Sequence, residues 1–267
     1  MDCLWVWPWA LLCVIGIAVI GCVWFYTTPT KAIMPFPKHI FQTWKSKTDI
    51  PANMDYWSST WKLHNPHYTY TLWDDADNLA FVKKEFPWFL STYEGYDVEI
   101  KRADAIRYMF LYVYGGIYAD MDFECLKPFD GLLEEFKSYD IILGSMESDW
   151  NPWNMSNSIP NAIMISKPGC EFWIRLLELL VKKSKGTHRV EEATGPIVLK
   201  ECYGNWFWWR QDSVLVAKPE TFYPISWITN NETRIQSLKT DDRTHLTQTM
   251  KSTYPASYAV TYWTHSW

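Results

Sequence analysis

The chain has 267 residues, 48% of them apolar, and a net charge of −5. That is enough material for one sizeable core, and the acidic balance (pI near 5.7) excludes the basic footprint a nucleic-acid binder needs. Cys3, Cys13 and Cys22 lie near the start, leaving Cys125, Cys170 and Cys202, whose spacing fits no zinc site, as buried thiols or one disulfide with a thiol over.

Residues 1–3 form a short tail. Leu4 to Tyr26 is an almost uncharged stretch of about 23 residues, long enough as a helix to span a hydrocarbon core of roughly 30 Å. Trp5, Trp7 and Trp9 at one end and Trp24 and Tyr26 at the other fit interfacial belts. A cleaved signal peptide has a shorter apolar region behind basic residues, whereas this one follows Met1-Asp2. An uncleaved anchor is expected over residues 4–26, a Thr- and Pro-rich stem over 27–37 and one globular domain over 38–267. Lys31, Lys38, Lys45 and Lys47 after the span favour a cytosolic domain. The sequons Asn154-Met155-Ser156 and Asn231-Glu232-Thr233 favour a lumenal one.

Lys38–Trp44 predicts a first strand and Tyr68–Trp73 a second, with a helix containing Tyr56, Trp57 and Trp61 between them. Asp75–Phe86 predicts a helix stopped by Pro87, and Glu99–Tyr114 a longer one stopped by Gly115-Gly116. A strand leading to Asp120 follows at once. Asp140–Gly144 and Ala162–Ser166 read as short buried strands, and Cys170–Val181 as an amphipathic helix. This alternation predicts an α/β domain with a mostly parallel sheet.

Asp120-Met121-Asp122 closes the apolar run Tyr112–Ala119. In an extended chain the two carboxylates share a face and converge on one hard cation, while Met121 points away into the protein. Taken alone, an Asp-x-Asp is more often a turn or a solvated edge. Its position at the carboxyl end of a strand, behind a helix carrying Asp104 and Arg107 on one face, favours a ligand site.

The strings Ile100-Lys101-Arg102-Ala103-Asp104-Ala105-Ile106-Arg107-Tyr108 and Tyr114-Gly115-Gly116-Ile117-Tyr118-Ala119-Asp120-Met121-Asp122 resemble the DXD sugar-transferase family that contains the fungal initiating mannosyltransferases and the inositol phosphoceramide mannosyltransferases. The resemblance extends to Lys38–Trp44, Phe86-Pro87-Trp88-Phe89-Leu90, Thr194-Gly195-Pro196 and Ser266-Trp267, essentially the whole chain after the stem, and looks most like the inositol phosphoceramide branch. It implies a GT-A (Rossmann-like) domain behind a single transmembrane helix, in type II orientation with the domain in the Golgi lumen. It also implies a metal-dependent, retaining hexosyltransferase using a nucleotide-sugar, GDP-mannose before UDP-sugars, on a glycolipid or glycan acceptor, with a regulatory subunit as a further partner. That branch looks to have additional hydrophobic segments after the catalytic domain, whereas this sequence stops at Trp267. UDP-dependent galactosyl or glucosyl transfer is the alternative within the class. A non-catalytic sugar- or partner-binding subunit is the alternative outside it.

The spacing of Asp104, Arg107, Asp120 and Asp122 is similar to that of the clostridial glucosylating toxins. By that resemblance Asp104 and Arg107 hold sugar hydroxyls and the diphosphate, and Asp120 and Asp122 serve ribose, sugar and metal, Mn²⁺ or Mg²⁺. The plainer reading of Asp104 and Arg107 is a helix-surface ion pair worth about 0.3–0.5 kcal/mol. Trp44 is the candidate base-stacking ring or simply core, and Asn161 and Thr194-Gly195-Pro196 are sugar or acceptor contacts or turns. The closing cluster contributes His265 as a third metal contact and Ser266 and Trp267 as donor contacts that close over the diphosphate. Trp206-Phe207-Trp208-Trp209 could face lipid or bridge core and surface.

Overall fold

Short strands with buried side chains on both faces assemble into a central sheet between two helical layers, as the alternating pattern requires. The structure, a computed structural model, describes residues 34–151, 153–154, 156–206, 212–226 and 242–264. In chain order the elements are β1 (His39–Thr43), α1 (Ala52–His64), β2 (Thr69–Trp73), α2 (Asp75–Glu85), α3 (Leu90–Glu94), α4 (Glu99–Val113), β3 (Gly116–Ala119), β4 (Phe123–Cys125) and α5 (Asp130–Glu135). There follow β5 (Ile141–Gly144), β6 (Ile163–Ser166), α6 (Glu171–Lys183), α7 (Val190–Ala193), α8 (Pro196–Trp206), β7 (Val214–Ala217), α9 (Pro219–Phe222), α10 (Arg243–Thr253) and β8 (Ala259–Thr261).

The sheet has the order β2-β1-β3-β6-β5-β7. β1 pairs in parallel with β2 and β3, and β5 with β7, whereas β6 runs antiparallel to both β3 and β5. The expected mostly parallel sheet thus carries one reversed strand. Residues 145–162 join β5 to β6 with no helix among the described residues, and a parallel return needs a crossover of that kind. The reversal starts β6 at the carboxyl edge of β3, where the Asp120 amide donates to the Ala162 carbonyl at 2.8 Å.

Side chains alternate across this sheet. Phe41, Tyr118, Ile141, Leu143 and Met164 pack into one cluster with Phe81, Phe110, Trp173 and Leu176 from α2, α4 and α6. Ile40, Ile117, Ile142, Ile163 and Ile165 pack into the other with Trp61, Phe129, Leu132 and Phe222.

Gly115 (φ +63°) and Gly116 (φ +88°) turn the chain from α4 into β3. A Cβ on Gly116 would stand 2.4 Å from the His39 carbonyl oxygen, so glycine is what lets β3 lie against β1. β4 leaves the main sheet and pairs with β8 in an antiparallel ribbon that the sequence reading did not anticipate. α1 holds this ribbon: the Trp61 indole N–H donates to the Phe123 carbonyl at 2.9 Å, and the Cys125 amide donates to Thr60 Oγ1 at 2.9 Å.

Cys125, Cys170 and Cys202 are buried free thiols. Among the described residues no helix is long and apolar enough to cross a membrane. The predicted anchor at 4–26, most of the stem, Asn231, Phe207, Trp208, Trp209, His265, Ser266 and Trp267 lie outside the described residues.

Candidate functional site

β2, β1 and β3 run in parallel, so the residues after them meet at one edge, where ligand sites of α/β sheets form. A cavity of about 220 Å³ opens there, lined by Thr43, Trp44 and Lys45 after β1, Asp75 after β2, Glu99, Ala103 and Arg107 of α4, and Tyr118, Asp120, Met121 and Asp122. Thr264 completes this wall.

Asp120-Met121-Asp122 is a turn here and not extended strand. β3 ends at Ala119, and the Phe123 amide donates to the Asp120 carbonyl at 3.1 Å as the chain swings into β4. The carboxylates therefore share the cavity through a turn, in place of the expected strand alternation. Met121 is buried, as expected, in the cluster of Met54 and Trp57, and it also lines the cavity.

Arg107 is the centre of the buried charge. Its guanidinium lies 3.2 Å from both Asp104 and Asp120, with all three side chains almost inaccessible. It also donates to the Asn161 carbonyl at 2.9 Å and sits 4.8 Å above the Tyr118 ring. Asp104 accepts from the Asn161 side-chain amide at 2.9 Å and from Thr194 Oγ1 at 2.8 Å. Tyr108 accepts from Asn161 at 2.8 Å and donates to the Thr194 carbonyl at 2.7 Å. This is a buried network and not the surface ion pair of the plainer reading. Asp104 and Asn161 stand behind Arg107, off the cavity wall.

Burial works against the charge on Arg107, but Asp120, Tyr118 and Asp104 outweigh it and raise its pKa above the ordinary value. Burial raises Asp104 despite Arg107. Burial also pushes Asp120 up to about 7, against the pull of Arg107 and the 2.7 Å hydrogen bond from Tyr118, with the Asp122 charge adding to the rise. Asp122 accepts from the Thr264 amide at 2.8 Å and from Thr261 Oγ1 at 3.3 Å.

Two carboxylates at one cavity wall, the charge of Asp122 raising the proton affinity of Asp120, are hard oxygen donors suited to a divalent ion. Among the described residues no group of three His, Cys, Asp or Glu side chains could hold a metal, so the remaining ligands of such an ion must come from elsewhere. A small hard cation bound by one or two carboxylates plus substrate phosphates meets that condition.

Trp44 follows β1 with its indole N–H held by the Asp49 carbonyl at 2.8 Å, and its ring lines the cavity. The structure thus brings together Trp44, Arg107, Asp120 and Asp122, supported from behind by Asp104, Asn161 and Thr194. The sequence reading missed Tyr118, Tyr108, Asp75 and Glu99. The alternation Tyr118-Ala119-Asp120 was a signal for the first, since residues two apart on a strand share a face.

Residues 51–139 match the family model described as the glycosyltransferase sugar-binding region containing the DXD motif. Mannosyl phosphorylinositol ceramide synthase CSH1 of Saccharomyces cerevisiae is 34% identical over 189 residues, which is 69% of this chain and 46% of that protein. Inositol phosphoceramide mannosyltransferase 3 of Schizosaccharomyces pombe is 33% identical over 68% of this chain and 48% of its own length. The initiation-specific alpha-1,6-mannosyltransferase of S. cerevisiae is 31% identical over 43% of this chain and 25% of that protein. The chain spans about half the length of the first two. The solved structure of the PaToxG glycosyltransferase is similar in fold, with a TM-score of 0.50 at 18% identity over 64% of this chain and 70% of that one. The chain belongs to the family whose sugar-binding region contains the DXD motif, here Asp120-Met121-Asp122.

Proposed function

We propose that this chain is a glycosyltransferase that moves mannose from GDP-mannose to an inositol-phosphoceramide-like glycolipid, with retention at the anomeric carbon. The observation that carries the reading is the cavity wall, where Arg107, Asp120 and Asp122 meet beside the Trp44 ring at the carboxyl edge of three parallel strands. Relatives named as mannosyltransferases of inositol phosphoceramide support the choice of sugar and acceptor.

In this reading Trp44 stacks on the nucleotide base, and Arg107 binds the diphosphate or a sugar hydroxyl. Asp104, Asn161 and Thr194 fix the guanidinium from behind. Asp120 and Asp122 would hold Mn²⁺ or Mg²⁺, which when bound supplies positive charge to the leaving diphosphate. The acceptor hydroxyl attacks the anomeric carbon on the face from which the diphosphate departs. Its proton passes to the departing phosphate oxygen as the sugar–phosphate bond breaks. His265 as a third metal contact, and Ser266 and Trp267 closing over the diphosphate, belong to the same proposal. It is supported by Thr264, whose amide already stands on Asp122. Residues 4–26 as a Golgi anchor with the domain lumenal, and a regulatory subunit, complete it.

The test is nucleotide release and sugar transfer by the detergent-purified full chain, with Mn²⁺ or with EDTA. The donors are GDP-mannose, UDP-galactose, UDP-glucose and UDP-N-acetylglucosamine, each with and without inositol phosphoceramide. Metal-dependent transfer from GDP-mannose alone is expected. Turnover of a UDP-sugar instead would replace the donor, and absence of both turnover and donor binding would overturn the enzymatic reading.

A further inference from the structure

Glu124, on β4 two residues beyond Asp122, is fully inaccessible to solvent. Its carboxylate accepts hydrogen bonds from Thr247 Oγ1 on α10 and from the Tyr262 hydroxyl, the latter at 2.5 Å. Burying an acceptor-only charged group is costly, and here two hydroxyls and the more distant charges of Lys251 and Arg243 offset part of the cost. What Glu124 adds is direction, because an ionised carboxylate only accepts and so orients the Tyr262 hydroxyl, and with it Thr247, toward itself.

The segment so held is the one that touches Asp122. The Tyr262 ring lies over Trp57 with centroids 4.4 Å apart, and the Tyr262 amide donates to the Asp122 carbonyl at 3.1 Å. From the same segment Thr261 Oγ1 and the Thr264 amide reach the two oxygens of the Asp122 carboxylate. The chain at 122–124 therefore holds residues 261–264 twice, through Glu124 on β4 and through Asp122 in the turn before it at the cavity. A carboxylate that must bind a ligand in one orientation needs such support.

We propose that Glu124 is a positioning residue: through Tyr262 and Thr247 it clamps residues 261–264 onto Asp122 and so sets the Asp122 carboxylate for metal and nucleoside diphosphate. The assignment of that ligand rests on the proposed donor site, whereas the clamp itself does not.

The experiment compares the full chain with Glu124→Gln, which keeps the shape and one acceptor, and Tyr262→Phe, which removes one arm. Amide hydrogen exchange over 259–264 reads the clamp, and calorimetry of GDP with Mn²⁺ reads the site. Both variants are expected to exchange about tenfold faster at the Tyr262 and Thr264 amides, with α4 and β3 unchanged. Both are also expected to bind Mn²⁺–GDP about five- to tenfold more weakly. Unchanged exchange at these amides, or equal acceleration throughout the domain, would overturn the clamp. Faster local exchange with unaltered Mn²⁺–GDP affinity would overturn its role at the site. If the unsubstituted chain binds no nucleotide, the donor reading fails and the assigned role with it, while exchange still decides the clamp.

Discussion

Asp122 sits on the cavity wall with its carboxylate held by Thr261 and Thr264, contacts that an amide oxygen can keep in part. Asp122→Asn is therefore expected to lower metal-dependent turnover by about a hundredfold or more, roughly 2.7 kcal/mol of transition-state stabilisation, with a melting temperature within a few degrees of the parent. Turnover equal to the parent would remove Asp122 from the metal. Asp120 carries a different signature. Its folded pKa of about 7 stands above the ordinary 3.8, so the folded state binds the proton more tightly. The associated stability is present below about pH 4 and is lost as pH rises through about 7. The metal-free protein should lose melting temperature across that window and Asp120→Asn should flatten the loss, which pH-resolved calorimetry checks. Arg107 is the ion-pair partner of both buried acids at 3.2 Å, so Arg107→Ala removes that partner from each and should cost about 3–5 kcal/mol in denaturant unfolding. Arg107→Lys retains the charge without the planar fork and should recover only part of that. At this scale the charged quartet was legible in the sequence, Asp104 with Arg107 and Asp120 with Asp122 from spacing and the four as a set from the family resemblance. That Asp104 stands behind Arg107 was not, because the partners that occupy it, Asn161 and Thr194, lie 57 and 90 residues away in the chain.

The elements follow the sequence signals closely where those signals are local. The Asp74 side chain and the Asp77 carboxylate form a reciprocal capping box that starts α2, and Gly115 stops α4. Gly116 has the sharper requirement. Gly116→Ala combines a positive φ with a Cβ driven into the His39 carbonyl, and it should destabilise the domain by about 2 kcal/mol or more as β3 is pushed from β1. Thermal unfolding checks this, and a melting temperature equal to the parent would mean that the sheet yields there at no cost. The β4–β8 ribbon escaped the sequence reading because Phe123–Cys125 is three residues long and its partner lies more than 130 residues on. No local period can announce such a pairing. The turn at Asp120-Met121-Asp122 was misread as strand for a related reason, since the chain leaves the sheet only because that ribbon awaits it.

For the molecule as a whole, the proposed lumenal placement of the domain has a test at Asn154. Its side chain and that of Ser156 are exposed, and its Oδ1 accepts from the Ser156 hydroxyl at 2.8 Å. Expression in a secretory cell should yield a form that loses mass on endoglycosidase treatment, and Asn154→Gln should abolish part or all of that shift. A chain never glycosylated at either sequon would argue for the cytosolic orientation that the lysines favour. The sequence by itself determined the α/β class, the parallel pairing around β1, the limits of α2 and α4 to within a residue, and which four charged residues to look for, because apolar period, caps and short motifs are written within a dozen or so residues. Only the tertiary structure decided that β6 runs backward and delivers Asn161 to Asp104, that the two aspartates converge through a turn, and that residues 261–264 support Asp122. Each of these depends on which distant segment fills the space beside a strand, and that choice is made by packing of the whole core.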